Sequence, residues 1–154
     1  MCETDLIFNL VNGALSSDLF EILNDEAKVV TLKKVKQGYN CPPRIFNSVD
    51  AIGNSMLIIG GMTDAKTVSN DIYWASTNNG FVWRERAKLP HPICGHATCS
   101  VGDLIYIFGG YNKGGFTNDF YFYELLTDIV AKVVKYKVPI SPRSGCSMVE
   151  SKGQ

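Results

Sequence analysis

The chain repeats itself, and the repeat constrains the fold more than any other feature. The segment GNSMLIIGG at 53–61 returns as GDLIYIFGG at 102–110, an offset of 49 residues. Around it, Asn70-Asp71-Ile72-Tyr73 answers Asn118-Asp119-Phe120-Tyr121 at 48, and Leu89-Pro90 answers Val138-Pro139 at 49. Two landmarks recur at about double the spacing: Pro43-Arg44 with Pro142-Arg143 at 99, and Asp5-Leu6-Ile7-Phe8 with Asp103-Leu104-Ile105-Tyr106 at 98. A period within about 20–50 residues marks stacked supersecondary units, each unable to bury its apolar face alone. The N-terminal region reads as a decayed copy of the unit rather than as a separate domain.

Each period carries four strand signals. GHATCSV (95–101) alternates small and polar side chains, DLIYIF (103–108) is a continuous apolar run, DFYFYEL (119–125) is aromatic and alternating, and VAKVVKYKV (130–138) alternates apolar residues with lysine. Gly, Asn, Asp or Pro punctuates each run, which predicts four short antiparallel strands per period. SSDLFEILNDEAKVV (16–30) competes as a helix, with an N-cap-like serine pair and helically spaced apolar residues. Strands are preferred there too, because Asp18-Leu19-Phe20 aligns with Asp119-Phe120-Tyr121.

Gly60-Gly61 ending an apolar strand, then Tyr73 and Trp83, resembles the kelch motif, as does Gly109-Gly110 followed by Asn118-Asp119 and Tyr121. A glycine pair at a strand end lets the backbone turn sharply and a neighbouring strand approach closely. The Asn and Asp side chains are expected to close the turn locally as acceptors. The aromatic residues are expected to fill the space between sheets. The first copy departs from the motif, with Val11, Asn12 and Gly13 around the expected glycine pair, and the third copy has no Trp.

The resemblance implies an all-β fold of kelch-type β-propeller blades, each a four-stranded antiparallel sheet, in an incomplete ring of about three blades. The expected units are a degenerate repeat at 4–38 lacking its innermost strand, repeats at 43–89 and 92–138, and an innermost strand at 141–154. Propellers hold about 4–8 blades, so three readings follow. The chain is a fragment of a longer protein, or two copies form a homodimer completing a six-bladed ring, or the blades make an open arc with exposed sheet faces.

His91 and His96, with Cys94 and Cys99, invite a metal or nucleophile hypothesis. On a strand Cys94 and His96 share a face and Cys99 lies on the other, so three ligands do not converge. A Cys–His dyad lacks an identifiable orienting group. No catalytic residue, metal or cofactor is therefore expected. Enzymes of this resemblance, such as galactose oxidase and sialic acid epimerase, offer a sugar-active alternative; a non-functional remnant of a longer protein is another.

Loops at the blade ends are the expected contact surface. One end gathers 62–70, 111–118 and the segments leading into the innermost strands. The candidate partner-binding residues are Arg44, His91, Tyr111, Lys113, Phe116 and Arg143. The structural set is Gly60, Gly61, Tyr73, Trp83, Gly109, Gly110, Asn118, Asp119 and Tyr121. In kelch adaptors that grip acidic peptides, arginine at the start of an innermost strand often contacts the partner, which the resemblance extends to Arg44 and Arg143. The expected role is an adaptor or scaffold that binds another protein or an acidic peptide.

Composition narrows the classes. Fifteen basic and fifteen acidic side chains give no net charge, against binding to nucleic acid or a membrane surface. No apolar run approaches the roughly 20 residues of a membrane-spanning helix. Five cysteines without CxxC spacing, behind an acidic N-terminus unlike a secretory signal, point to a reducing, cytoplasmic location.

Overall fold

The structure, a computed structural model, describes residues 6–9, 19–24, 30–35, 41–76, 78, 80, 82–134 and 139–151. Its named elements are thirteen strands. β1 (Leu6–Asn9), β2 (Leu19–Asn24) and β3 (Val30–Val35) form an antiparallel three-stranded sheet in that order. The stretch with helical spacing is thus extended over 19–24. Val11, Asn12 and Gly13 lie outside the described residues.

The period of 49 corresponds to one four-stranded sheet. β4 (Ser48–Ile52), β5 (Ser55–Ile59), β6 (Ile72–Ser76) and β7 (Arg84–Glu85) follow one another across the first. The second places β8 (Ala97–Val101), β9 (Leu104–Phe108), β12 (Phe120–Glu124) and β13 (Ile129–Lys132) in the same succession. A small hairpin, β10 (Tyr111–Asn112) with β11 (Gly115–Phe116), interrupts it between the second and third strands. These sheets are the blades. Residues 139–151 lie outside any ladder, although an innermost strand is expected there.

β5 and β6 are apolar on both faces because each face is covered. Leu57, Ile59 and Ile72 join Leu89, Ile93, Ile105, Ile107, Tyr121 and Tyr123 in the core between the blades. Met56, Ile58, Tyr73 and Ala75 point the other way, to Cys41 and Trp83. Full burial of an aliphatic side chain contributes about 1.5–3 kcal/mol. An exposed ion pair such as Lys132–Asp119 contributes about 0–1. Apolar burial therefore dominates the blade–blade contact. Tyr121 and Tyr123 enter this core, whereas Phe120 and Phe122 are half-buried on the opposite face, where Phe120 meets Tyr106 and Phe108 edge-on or tilted. Trp74 is half-buried beneath the Arg86 guanidinium, 5.8 Å from the ring centroid.

At one end of the blades a hydrogen-bonded seam repeats. Gly61 N–H donates to Ile93 O at 2.8 Å, and Gly110 N–H to Arg143 O at 2.7 Å. Gly95 N–H donates to Phe46 O at 2.7 Å, and Gly145 N–H to Gly95 O at 2.8 Å. A Cβ on Gly60 would stand 2.5 Å from Ile93 O, and one on Gly109 2.7 Å from Arg143 O. Both have positive φ as well, so close approach and left-handed backbone together require glycine.

Two expectations are corrected. Asn70 and Asn118 do not close their turns as acceptors. Their Nδ2 groups donate to Leu89 O and Ile140 O, at 2.8 and 2.9 Å, tying the third strand to the segment that leads onward. The local turn is closed by hydroxyls, Ser69 Oγ and Thr117 Oγ1 accepting from Asp71 and Asp119 N–H, both at 3.0 Å, and in the first of them the Asp71 carboxylate is a local acceptor as expected, taking the Ser69 hydroxyl at 2.7 Å. Arg44 is the second correction: it is 4% exposed and does not face a partner. Its Nη1 donates to Gly60 O at 2.9 Å and Ser69 Oγ at 3.4 Å, its Nε donates to Pro42 O at 3.2 Å, and the guanidinium sits 4.8 Å from the Tyr73 ring centroid. The Asp71 carboxylate is 4.0 Å from Nη2. The side chain ties the strand entry to its own sheet.

His96 is buried between the innermost strands. Its Nε2 lies 2.8 Å from Ser48 Oγ, and Nδ1 has no partner. Burial lowers its pKa to about 4 from an ordinary 6.5. The unfolded chain therefore takes up a proton between pH 6.5 and 4 that the folded chain refuses. Stability from this residue is complete above about 6.5 and falls as pH drops through that window, by about 1.4 kcal/mol per pH unit. Urea unfolding midpoints between pH 4 and 7.5 test this, and His96→Asn, which installs the residue found at Asn47 in the preceding repeat, is expected to flatten the slope. Arg44→Ala is expected to destabilise the fold by about 3 kcal/mol by leaving buried acceptors unpaired, measured by the same denaturation.

Candidate functional site

The β10–β11 hairpin puts its chemistry at the seam end. Asn112 Oδ1 accepts from Gly114 N–H at 2.8 Å and fixes the turn that carries Lys113. Tyr111 and Phe116 stand opposite one another in the hairpin register, with ring centroids 5.7 Å apart and planes at 73°. Phe116 thus leans on Tyr111 and still remains 66% exposed, with Tyr111 at 44%. Pairing with Tyr111 buttresses Phe116 and limits the freedom it would otherwise lose on binding.

Beside the hairpin lies a cleft of about 530 Å³, lined by His91, Pro92, Asn112, Lys113, Gly114 and Asp119. Asp119 is held by the Lys132 ammonium at 2.6 Å, which lowers its pKa from the ordinary carboxylate value. Its charge is therefore balanced within the blade. Arg143 is exposed; its Nε and Nη2 donate to Ser141 O and Oγ at 3.1 and 2.9 Å. Its own main chain is bonded to Gly110 and Thr117, one residue from each aromatic ring. His91, Tyr111, Lys113, Phe116 and Arg143 consequently share one end, and Arg44 alone of the candidate set is withdrawn into the protein.

The Cys/His group does not assemble. Cys94 Sγ lies 3.6 Å from Tyr111 O, and burial raises the thiol's pKa. His96 bonds to Ser48 instead. Among the described residues no cluster of three or more His, Cys, Asp or Glu side chains comes together. The arrangement offers exposed aromatic area beside cations.

Two residues at this end were not singled out by the sequence. Ile45 and Phe46 are 46% and 64% exposed. They precede β4 where Cys94 and Gly95 precede β8, and the signal for them was the mismatch at that repeat position.

A family model described as the KLHDC2/KLHL20/DRC7 Kelch-repeats domain matches residues 9–154. The human Kelch domain-containing protein 3 is 32% identical over 80 residues, 49% of this chain and 21% of that protein. The human Host cell factor 1 is 31% identical over 104 residues, covering 58% of this chain and 5% of that protein. A Dictyostelium discoideum Rho GTPase-activating protein, gacHH, is 27% identical over 133 residues, 77% of this chain and 9% of that protein. The chain thus spans from 5% to 21% of the length of these relatives. Repeated glycine-paired blades and the match over 9–154 together make the chain a member of the kelch-repeat family.

Proposed function

We propose that the chain is a protein-recognition module, used as an adaptor or scaffold, whose loop end at β10–β11 carries the partner contact. One observation carries this reading: the aromatic pair Tyr111–Phe116 stands exposed beside the cleft that Lys113 and His91 line, on a hairpin anchored to a rigid blade. Aromatic anchors with a charged rim are the composition that holds protein partners. The similarity to Kelch domain-containing protein 3 and Host cell factor 1 supports this reading. A reducing, cytoplasmic setting suits the four described cysteines, all unpaired.

The test selects peptides from a random displayed library on the folded chain. Selected peptides are expected to bind at least tenfold more weakly when Tyr111, Lys113 and Phe116 are together changed to Ala, with the melting temperature unmoved. A library yielding no peptide above background, or equal binding by the triple variant, overturns the reading.

A further inference from the structure

The second blade leaves open the face that the first blade buries. Leu57 is fully buried where the two blades meet, and its counterpart 49 residues on, Tyr106, is only half-buried. On the same face Cys99, Phe122 and Ala131 are half-buried, and Val101 and Ile129 are exposed. The joint between the blades has three parts: the apolar core, the glycine seam, and Asp128, whose carboxylate accepts from Ala87 N–H at 3.0 Å and Tyr123 O–H at 2.9 Å. Beyond the second blade the seam alone is repeated among the described residues, through Gly110 to Arg143 and Gly145 to Gly95.

The segment that leaves this seam has the form of a strand without a ladder. Half-buried Ser144, Cys146 and Met148 alternate with exposed Gly145, Ser147 and Val149, the period of an extended chain lying on a surface. Cys146 Sγ lies 3.6 Å from where a Cβ on Gly109 would stand, so the segment rests against the second blade. β4 and β8 follow the seam at the same repeat position, and each pairs with the strand after it. Residues 146–151 pair with none.

β1 is the complement, a ladder edge without its strand. It is the repeat equivalent of β9, since Asp5-Leu6-Ile7-Phe8 answers Asp103-Leu104-Ile105-Tyr106. β9 lies between β8 and β12, whereas β1 pairs with β2 alone among the described residues. The register is fixed by the repeat. Gly145 aligns with Gly95, and Cys99 stands opposite Tyr106, which sets Val149 opposite Phe8 and Ser151 opposite Leu6.

Surface area points to a contact of the right size. A compact monomer of 17.0 kDa exposes about 7,700 Å². This chain exposes 9966 Å². The excess suffices for two standard protein contacts, each covering about 800 Å² per partner.

We propose that two copies of this chain close on each other, the 146–151 segment of each adding as the innermost strand to β1 of the other. The open face of the second blade then meets the three-stranded sheet of the partner copy. Two identical joints about a two-fold axis leave no edge over, and six blades lie within the range of about 4–8 at which such rings close. The proposal is independent of the loop-end reading, whose triple variant leaves both edges untouched.

The experiment is sedimentation velocity of the whole chain over a wide dilution series. A species of twice 17.0 kDa is expected, with nothing larger. Val149→Pro with Glu150→Pro removes an N–H that faces β1 whichever of the two alternate residues supplies it. Both residues are exposed and outside any ladder, so far-UV circular dichroism is expected to hold while the dissociation constant rises at least tenfold. An excess of the 141–151 peptide is expected to convert the native dimer to monomer by occupying β1. A native chain that stays monomeric overturns the proposal, as does growth into open-ended species. Dimerisation undiminished by the proline pair, or unmoved by the peptide, overturns it as well.

Discussion

Everything at the loop end depends on how closely the main chain of one blade approaches the next. Gly61 donates to Ile93 O, just ahead of β8, and Gly110 to Arg143 O in the segment after the second blade, at 2.8 and 2.7 Å. Those distances are available only because the glycine beside each donor has no Cβ to meet the same carbonyl. The apolar core between the blades supplies most of the attraction, but apolar contact is non-directional. The main-chain bonds fix the angle at which one sheet meets its neighbour, and with it the positions of the hairpin, the cleft and the strand entries.

The blades were legible in the sequence because their signals are local and occur in more than one copy. A continuous apolar run such as MLII becomes a strand covered on both faces, and the glycine pairs mark where it stops. Tyr121 and Tyr123 fell in the core by simple alternation. Hydrogen-bond direction was not legible. Asn118 looked like an acceptor for its own turn, yet its amide reaches Ile140 O, a contact between residues 22 positions apart.

The candidate site was legible in its loops and misread at one arginine. Pro43-Arg44 and Pro142-Arg143 are the same dipeptide at the same repeat position. Both guanidinium groups bond two residues back, to Pro42 O and Ser141 O. Arg44 then continues inward to Gly60 O, Ser69 and the Tyr73 face, while Arg143 stays in solvent. What surrounds the side chain decides its role, and the dipeptide carries none of that information. Phe46 shows the converse, a departure from glycine that sequence comparison between repeats displays but only the backbone angle interprets.

Asp128 has a mechanical consequence. Besides accepting from Ala87 and Tyr123, its carboxylate lies 3.3 Å from Arg86, whose Nη2 also donates to Leu125 O at 2.8 Å. These bonds clamp the outer turn of one blade to the chain leaving the blade before it. With the glycine seam at the inner strands, the joint is pinned at two separated points, and two pins prevent the rotation that one would allow. The loop tips around 64–66 and 113–114, which take no part in these joints, can therefore change length and sequence without tilting the blades that carry them, which frees that surface to diversify while the frame stays put.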